Sequence, residues 1–258
     1  MHVRSAFGVR DVPVVPLLTT AMPAWRCGEI LIRPVRDTAL ASWSAGVLDT
    51  LAADGLRIAR PLRGSDGRWV VAGFSACQYI TGSAEPRFHD MVAASLRLHA
   101  ATASVRRPRL LDDRDDLVAR ADAAAWGERV IRLAPGAGGD LFNRLAERRQ
   151  QLRSSSQVVH GDLFGTLLFD GERPPGLLEL VPFWRPVEWA AAVIVVDALA
   201  WGGAPEDLVD QWAHLDAWPQ SLLRALLFRL ALHAQHPGAT TESLRGLEYA
   251  AEVVGRRV

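Results

Sequence analysis

Apolar and polar positions alternate from Ala24 to Val35 around a Cys27-Gly28-Glu29 turn, which predicts a β-hairpin. The period then lengthens. Leu40, Trp43, Val47, Leu48 and Leu51 recur at three- and four-residue spacing after Asp37, a residue suited to cap a helix N-terminus, and predict an amphipathic helix. Strand-like runs return at Leu56 to Leu62 and Trp69 to Ile80, separated by the turn Gly64-Ser65-Asp66-Gly67. Past a linker-like stretch, Thr81 to Pro86, helical periodicity dominates, with segments near 87–104, 115–133, 139–153, 187–202, 205–216, 219–235 and 241–254. One stretch interrupts it. Val158 and Val159 run into His160-Gly161-Asp162, then come apolar Leu167 to Phe169, a Gly/Pro-rich turn and a second apolar run, Leu177 to Leu180: a loop bearing one carboxylate, closed by a short hairpin. A β-rich first third and a helical remainder predict an α+β, two-lobed architecture. The small β-rich lobe takes residues 1–82, and a larger, mainly helical lobe, 83–258, carries the loop and hairpin. The cleft between lobes is the default ligand site.

Composition narrows the classes. The 258 residues are 49% hydrophobic and 22% charged, enough apolar material for one substantial core or two small ones. Formal net charge is zero, so no overall basic field recruits nucleic acid or an anionic membrane. All 29 basic residues are arginine. Cys27 and Cys77 are too few for a disulfide framework or a zinc site and read as reduced thiols. The N-terminus is broken by Asp11, Pro13 and Pro16, making it a poor signal peptide, and the apolar run from Trp189 to Trp201 is too short for a bilayer span. The expectation is a cytoplasmic protein with a buried helix at 189–201.

The tripeptide His160-Gly161-Asp162 has two readings. An aspartate between apolar segments, beside a glycine that lets the backbone bend, can be a general base at the mouth of a cleft; it can equally be an Asx-turn residue that shapes the loop. The wider stretch, HGDLFGTLLF followed by a hairpin and LLELVPFWRP, resembles the catalytic segment of aminoglycoside phosphotransferase-like kinases, and is most similar to an actinobacterial branch of that superfamily. The resemblance covers nearly the whole chain and implies a protein-kinase-like fold. By position it implies that Asp162 is the catalytic base, that Thr166 stands where a metal-binding Asn is expected, and that Glu179 stands where the metal-binding Asp is expected. His160 is grouped with Asp162 as a candidate catalytic residue, with loop support as its stronger role.

Phosphoryl transfer needs a phosphate cradle, a cation on the phosphates, metal ligands and a base. Where a glycine-rich turn is expected, Val15 to Trp25 contains no glycine and two prolines, Pro16 and Pro23. Trp25, at its end, and Arg33, in the register of the expected lysine, are the candidate cofactor-binding residues. Arginine holds phosphate with a planar fork, so that exchange is not conservative, and no glutamate lies between Ala39 and Leu51 to partner it. For the metal, Thr166 offers a hydroxyl and Glu179 a carboxylate one methylene longer than aspartate, a poor match to strict octahedral Mg²⁺. Asp197, inside an apolar helix, needs partners for its charge, and the resemblance implies a scaffold role receiving loop N–H groups. His99 resembles a structural helix histidine. His233 and His236 read as a solvated helix end, RLAERRQQLR as an exposed face, and the nine tryptophans as core or cleft wall. Asp207, Asp210 and Asp216 make an acidic wall that suits either a cationic ligand or solvent.

Two functions follow. The preferred one is a kinase-like protein with a degenerate nucleotide and metal site, a pseudokinase-like binder of a small molecule or partner in the inter-lobe cleft. The alternative is an atypical phosphotransferase acting on a hydroxyl of a small metabolite, using ATP and Mg²⁺; the first needs neither. Neither involves nucleic acid or a membrane, and oligomeric state is left open.

Overall fold

The computed structural model describes residues 2–17 and 23–258. In chain order it contains α1 (His2–Ala6), β1 (Val14–Leu17), β2 (Ala24–Cys27), β3 (Ile30–Pro34), α2 (Thr38–Thr50), β4 (Arg57–Ile58), β5 (Pro61–Leu62), β6 (Val70–Val71) and β7 (Phe74–Gln78). Then follow α3 (Phe88–Thr102), α4 (Leu117–Trp126), α5 (Gly139–Ala146), β8 (Gln157–His160), β9 (Leu167–Asp170), β10 (Arg173–Leu177) and β11 (Pro182–Arg185). The chain ends with α6 (Val187–Trp201), α7 (Leu208–Gln211), α8 (Trp218–Gln235) and α9 (Thr241–Gly255). Two compact units result. The first comprises residues 1–85, 100–105 and 165–182, the second 86–99, 106–164 and 183–258. The hairpin after the Asp162 loop counts with the first unit, whereas the sequence assigns it to the helical part.

The first unit is built on an antiparallel sheet ordered β1-β2-β3-β7-β5, with β6 paired to β7. The hairpin expected around Cys27-Gly28-Glu29 forms, with Gly28 at φ +62° in the turn. Period-two alternation buries both faces. Cys27, Ile32 and Ala76 join one apolar cluster with Phe7 and Val71, while Ala24, Leu31 and Cys77 join another with Ala59. The run Trp69 to Ile80 turns back on itself. Val71 pairs with Phe74 across Ala72-Gly73, both at positive φ, the geometry of a tight two-residue hairpin turn. The run Leu56 to Leu62 splits: Arg57 and Ile58 pair in parallel with Gly176 and Leu177 of β10, while Pro61 and Leu62 join β7. Asp37 caps α2 by accepting the Leu40 N–H at 2.9 Å. The loop expected to replace the glycine-rich cradle centres on residues 18–22 and lies outside the described residues; its flanks, β1 and β2, pair antiparallel.

The second unit is helical around α6, which is buried without a break from Trp189 to Leu199. A helix apolar on every side can only be an interior one. Against it stand α8 and α9, and Trp189, Phe183 and Phe228 meet edge to face at 5.2–5.7 Å between ring centres. Strand β8, which leads into the Asp162 loop, pairs with β11 in a two-stranded sheet. The helix expected over 115–133 ends at Trp126 because Gly127 adopts a left-handed cap, φ +76°. That expected at 205–216 shrinks to four residues, α7. No helix among the described residues is long and apolar enough to cross a membrane.

Candidate functional site

In the second unit the loop after β8 is held at consecutive points. His160 is buried; its backbone N–H donates to Nε2 of His99 at 2.9 Å, and its own Nδ1 accepts the Asp162 N–H at 3.1 Å. Gln157 Nε2 donates to the His99 carbonyl at 2.6 Å. These bonds make His160 a shaper of the loop. Gly161 is required by packing, since a Cβ there would stand 2.3 Å from the Phe183 ring.

Asp162 Oδ1 accepts from Nη2 of Arg229 at 2.8 Å, and its side chain is 51% exposed. Arg229, on α8, is buried, and its Nε donates to Oδ1 of Asp197 at 2.7 Å while Nη2 also reaches Asp197 Oδ2. Two carboxylates therefore share one guanidinium, and the group carries a net charge of one negative, with the exposed end at Asp162. Burial pushes the Asp197 carboxyl up, to about 6, against the pull of Arg229. Burial alone would lower Arg229, but Asp197 and Asp162 outweigh it and raise it. Asp197 thus has the partner its burial demands, and that partner is an arginine from α8. Arg229 escapes sequence reading, although a signal exists: a carboxylate inside the apolar run of α6 calls for a cation from another apolar run, and α8 carries two, Arg224 and Arg229.

In the first unit Arg33 and Glu179 meet. Nη1 of Arg33 lies 3.0 Å from Oε2 of Glu179, and Nη2 donates to the Leu178 carbonyl at 3.1 Å. The partner that α2 does not provide for Arg33 comes instead from the segment after β10. Thr166 and Glu179 share one end of the β9–β10 hairpin, because Leu167 pairs with Leu177. Trp25 is not brought to Arg33. It pairs across β2–β3 with Ile32 and packs its ring 6.0 Å from Phe74, so alternation sets it on the face opposite Arg33.

Of the two candidate metal donors, Glu179 is bonded to a guanidinium and Thr166 offers a neutral hydroxyl. The acidic wall is compensated in part: Asp210 pairs with Arg257 at 2.6 Å, and the adjoining Glu206 pairs with Arg256. His233 is built into the fold through Ala137 O at 3.1 Å and Ser243 Oγ at 3.0 Å. A hollow of about 460 Å³ in the first unit, between α2 and residues 101–105, includes none of the six candidate residues.

Comparison with solved structures identifies the fold. The microcompartment-associated aminopropanol kinase is similar over 98% of this chain and 94% of its own, with TM-score 0.59 and 16% identity. A thermostable mutant of the aminoglycoside phosphotransferase APH(4)-Ia, in ternary complex with AMP-PNP and hygromycin B, matches over 98% and 96% with TM-score 0.57 and 15% identity. Choline kinase LicA from Streptococcus pneumoniae matches over 99% and 98% with TM-score 0.57 and 10% identity. No protein-family model matches the chain, and no sequence among the curated proteins does. The chain therefore has the α+β, protein-kinase-like fold of the aminoglycoside phosphotransferases and small-molecule kinases. At these identities the likeness speaks to the fold and not to the actinobacterial branch or the chemistry.

Proposed function

We propose that this chain is a small-molecule-binding protein on a protein-kinase-like fold that has given up efficient phosphoryl transfer. The Arg33–Glu179 ion pair carries the reading. Catalysis of this transfer is almost entirely positioning and electrostatics, and the cation's usual partner is a glutamate that binds no metal, whereas Arg33 takes the carboxylate expected on the metal. Here each is the other's ligand. An incoming triphosphate would have to break a 3.0 Å ion pair that the Leu178 carbonyl also holds, using an arginine whose fork differs in length and shape from an ammonium. Calorimetric titration with MgATP is expected to show no binding tighter than millimolar. Micromolar, Mg²⁺-dependent binding would overturn the reading.

A second reading, an atypical ATP-dependent phosphotransferase acting on a small-molecule hydroxyl, is favoured by one observation: the Asp162 carboxylate is oriented by its neighbours yet half exposed. In it Asp162 takes the acceptor proton, and Asp162→Asn abolishes turnover with nucleotide affinity nearly unchanged. Retained turnover in that variant removes Asp162 from the reaction.

A further inference from the structure

Arg229 uses its fork in an unequal way. Nε and Nη2 together grip both oxygens of Asp197, which is 1% exposed, and the remaining hydrogen of Nη2 points to Asp162. A guanidinium is planar, so once two of its N–H groups are fixed on a buried carboxylate the direction of the third is fixed too. Neutralising Asp197 needs only one positive charge, which Arg229 already supplies. The bond to Asp162 is additional, and it ties an exposed loop carboxylate to a frame set by α6 and α8.

We propose that Arg229 is a positioning residue: it fixes the orientation of the Asp162 carboxylate before any ligand arrives. The proposal rests on Asp162 being the group that meets the ligand, as in the second reading above. The loop is held by His99 on the His160 N–H and by His160 Nδ1 on the Asp162 N–H, and the Arg229 bond joins these contacts. Arg229 bonds the Asp162 carboxylate itself, at 2.8 Å, and ties it to α6 and α8. A site prepared this way avoids ordering a flexible acid at the moment of binding.

Amide hydrogen exchange on the full chain without ligand, with Asp162→Ala, Asp162→Asn and Arg229→Lys, tests it. Asp162→Ala removes the acceptor, and exchange at residues 161–163 is expected to accelerate about tenfold or more while amides of 192–195 in α6 keep their rates. Asp162→Asn keeps an oxygen for Nη2 and is expected to stay within about threefold of wild type, because the clamp is a directed hydrogen bond. Arg229→Lys keeps the charge but not the fork, and is expected to release the loop as Asp162→Ala does. Should Arg229→Lys fail to fold, the two Asp162 variants still decide. Unchanged loop exchange in Asp162→Ala, or equal acceleration of loop and α6, overturns the proposal. The measurement uses no nucleotide, so its outcome is separate from that of the MgATP titration.

Discussion

Nε2 of His99 accepts the His160 backbone N–H at 2.9 Å, which places the imidazole proton on Nδ1, 3.3 Å from Ser95 Oγ. A protonated ring would have to give up that bond inside the protein. Burial, helped by the neighbouring His160, accordingly lowers the His99 pKa to about 3. A histidine held neutral in the folded state contributes stability that is complete above its unfolded value, near 6.5, and is lost as pH falls toward 3. Asp197 acts in the opposite sense: with its carboxyl raised to about 6, its contribution is complete below the ordinary value of 3.8 and lost as pH rises through 6. Subtracting the stability curve of His99→Gln from that of wild type isolates the histidine. The difference is expected to shrink by up to about 1.4 kcal/mol per pH unit below 6.5. Parallel urea-unfolding curves from pH 7 to 5 would contradict it.

Gly161→Ala should destabilise the chain. The added Cβ meets Phe183 carbons at 2.3 and 2.4 Å, and that ring cannot swing away because Trp189 and Phe228 hold it at 5.2 and 5.7 Å. The cost is expected at about 1–3 kcal/mol by chemical denaturation, and Phe183→Leu in the same chain should recover part of it. A neutral Gly161→Ala would mean that the loop has slack the structure does not show.

Arg185 separates a buried partner from an exposed one. It bonds Asp122 at 2.7 Å, both side chains being 12% exposed, and Glu128 at 2.6 Å, whose side chain is 54% exposed. Asp122→Ala is expected to cost about 3 kcal/mol because it strips a buried guanidinium of its interior counter-charge. Glu128→Ala is expected to cost about 1 kcal/mol or less. Equal costs, read from urea midpoints, would refute the division.

Asp37→Ala removes the side chain that accepts the Leu40 N–H at 2.9 Å and is expected to cost about 1 kcal/mol. Asp37→Asn, still able to cap, should cost less. The same denaturation measurement decides between the capping role and a plain surface role.

Much of this was legible from nearest-neighbour chemistry. The turn at Gly28, the cap at Asp37, the buried helix from Trp189 and the carboxylate loop at Asp162 are each announced by residues within a few positions of one another, because period, capping and turn geometry are local properties of the backbone. The split of Leu56 to Leu62 was not legible. Arg57 and Pro61 look alike as strand residues, and only their partners, Gly176 and Cys77, tell them apart.

The β-rich first third, the helical remainder, the loop and its acid were determined by the sequence alone, since period, capping and turn chemistry are local. Tertiary structure decided the electrostatics: Arg33 meets Glu179 beside Leu178, 145 positions along the chain, and Arg229 meets Asp162 across 67. Charge attraction leaves no periodic trace in a chain. Whether a carboxylate awaits a ligand or is already bound is known only when the fold has brought its counter-ion beside it.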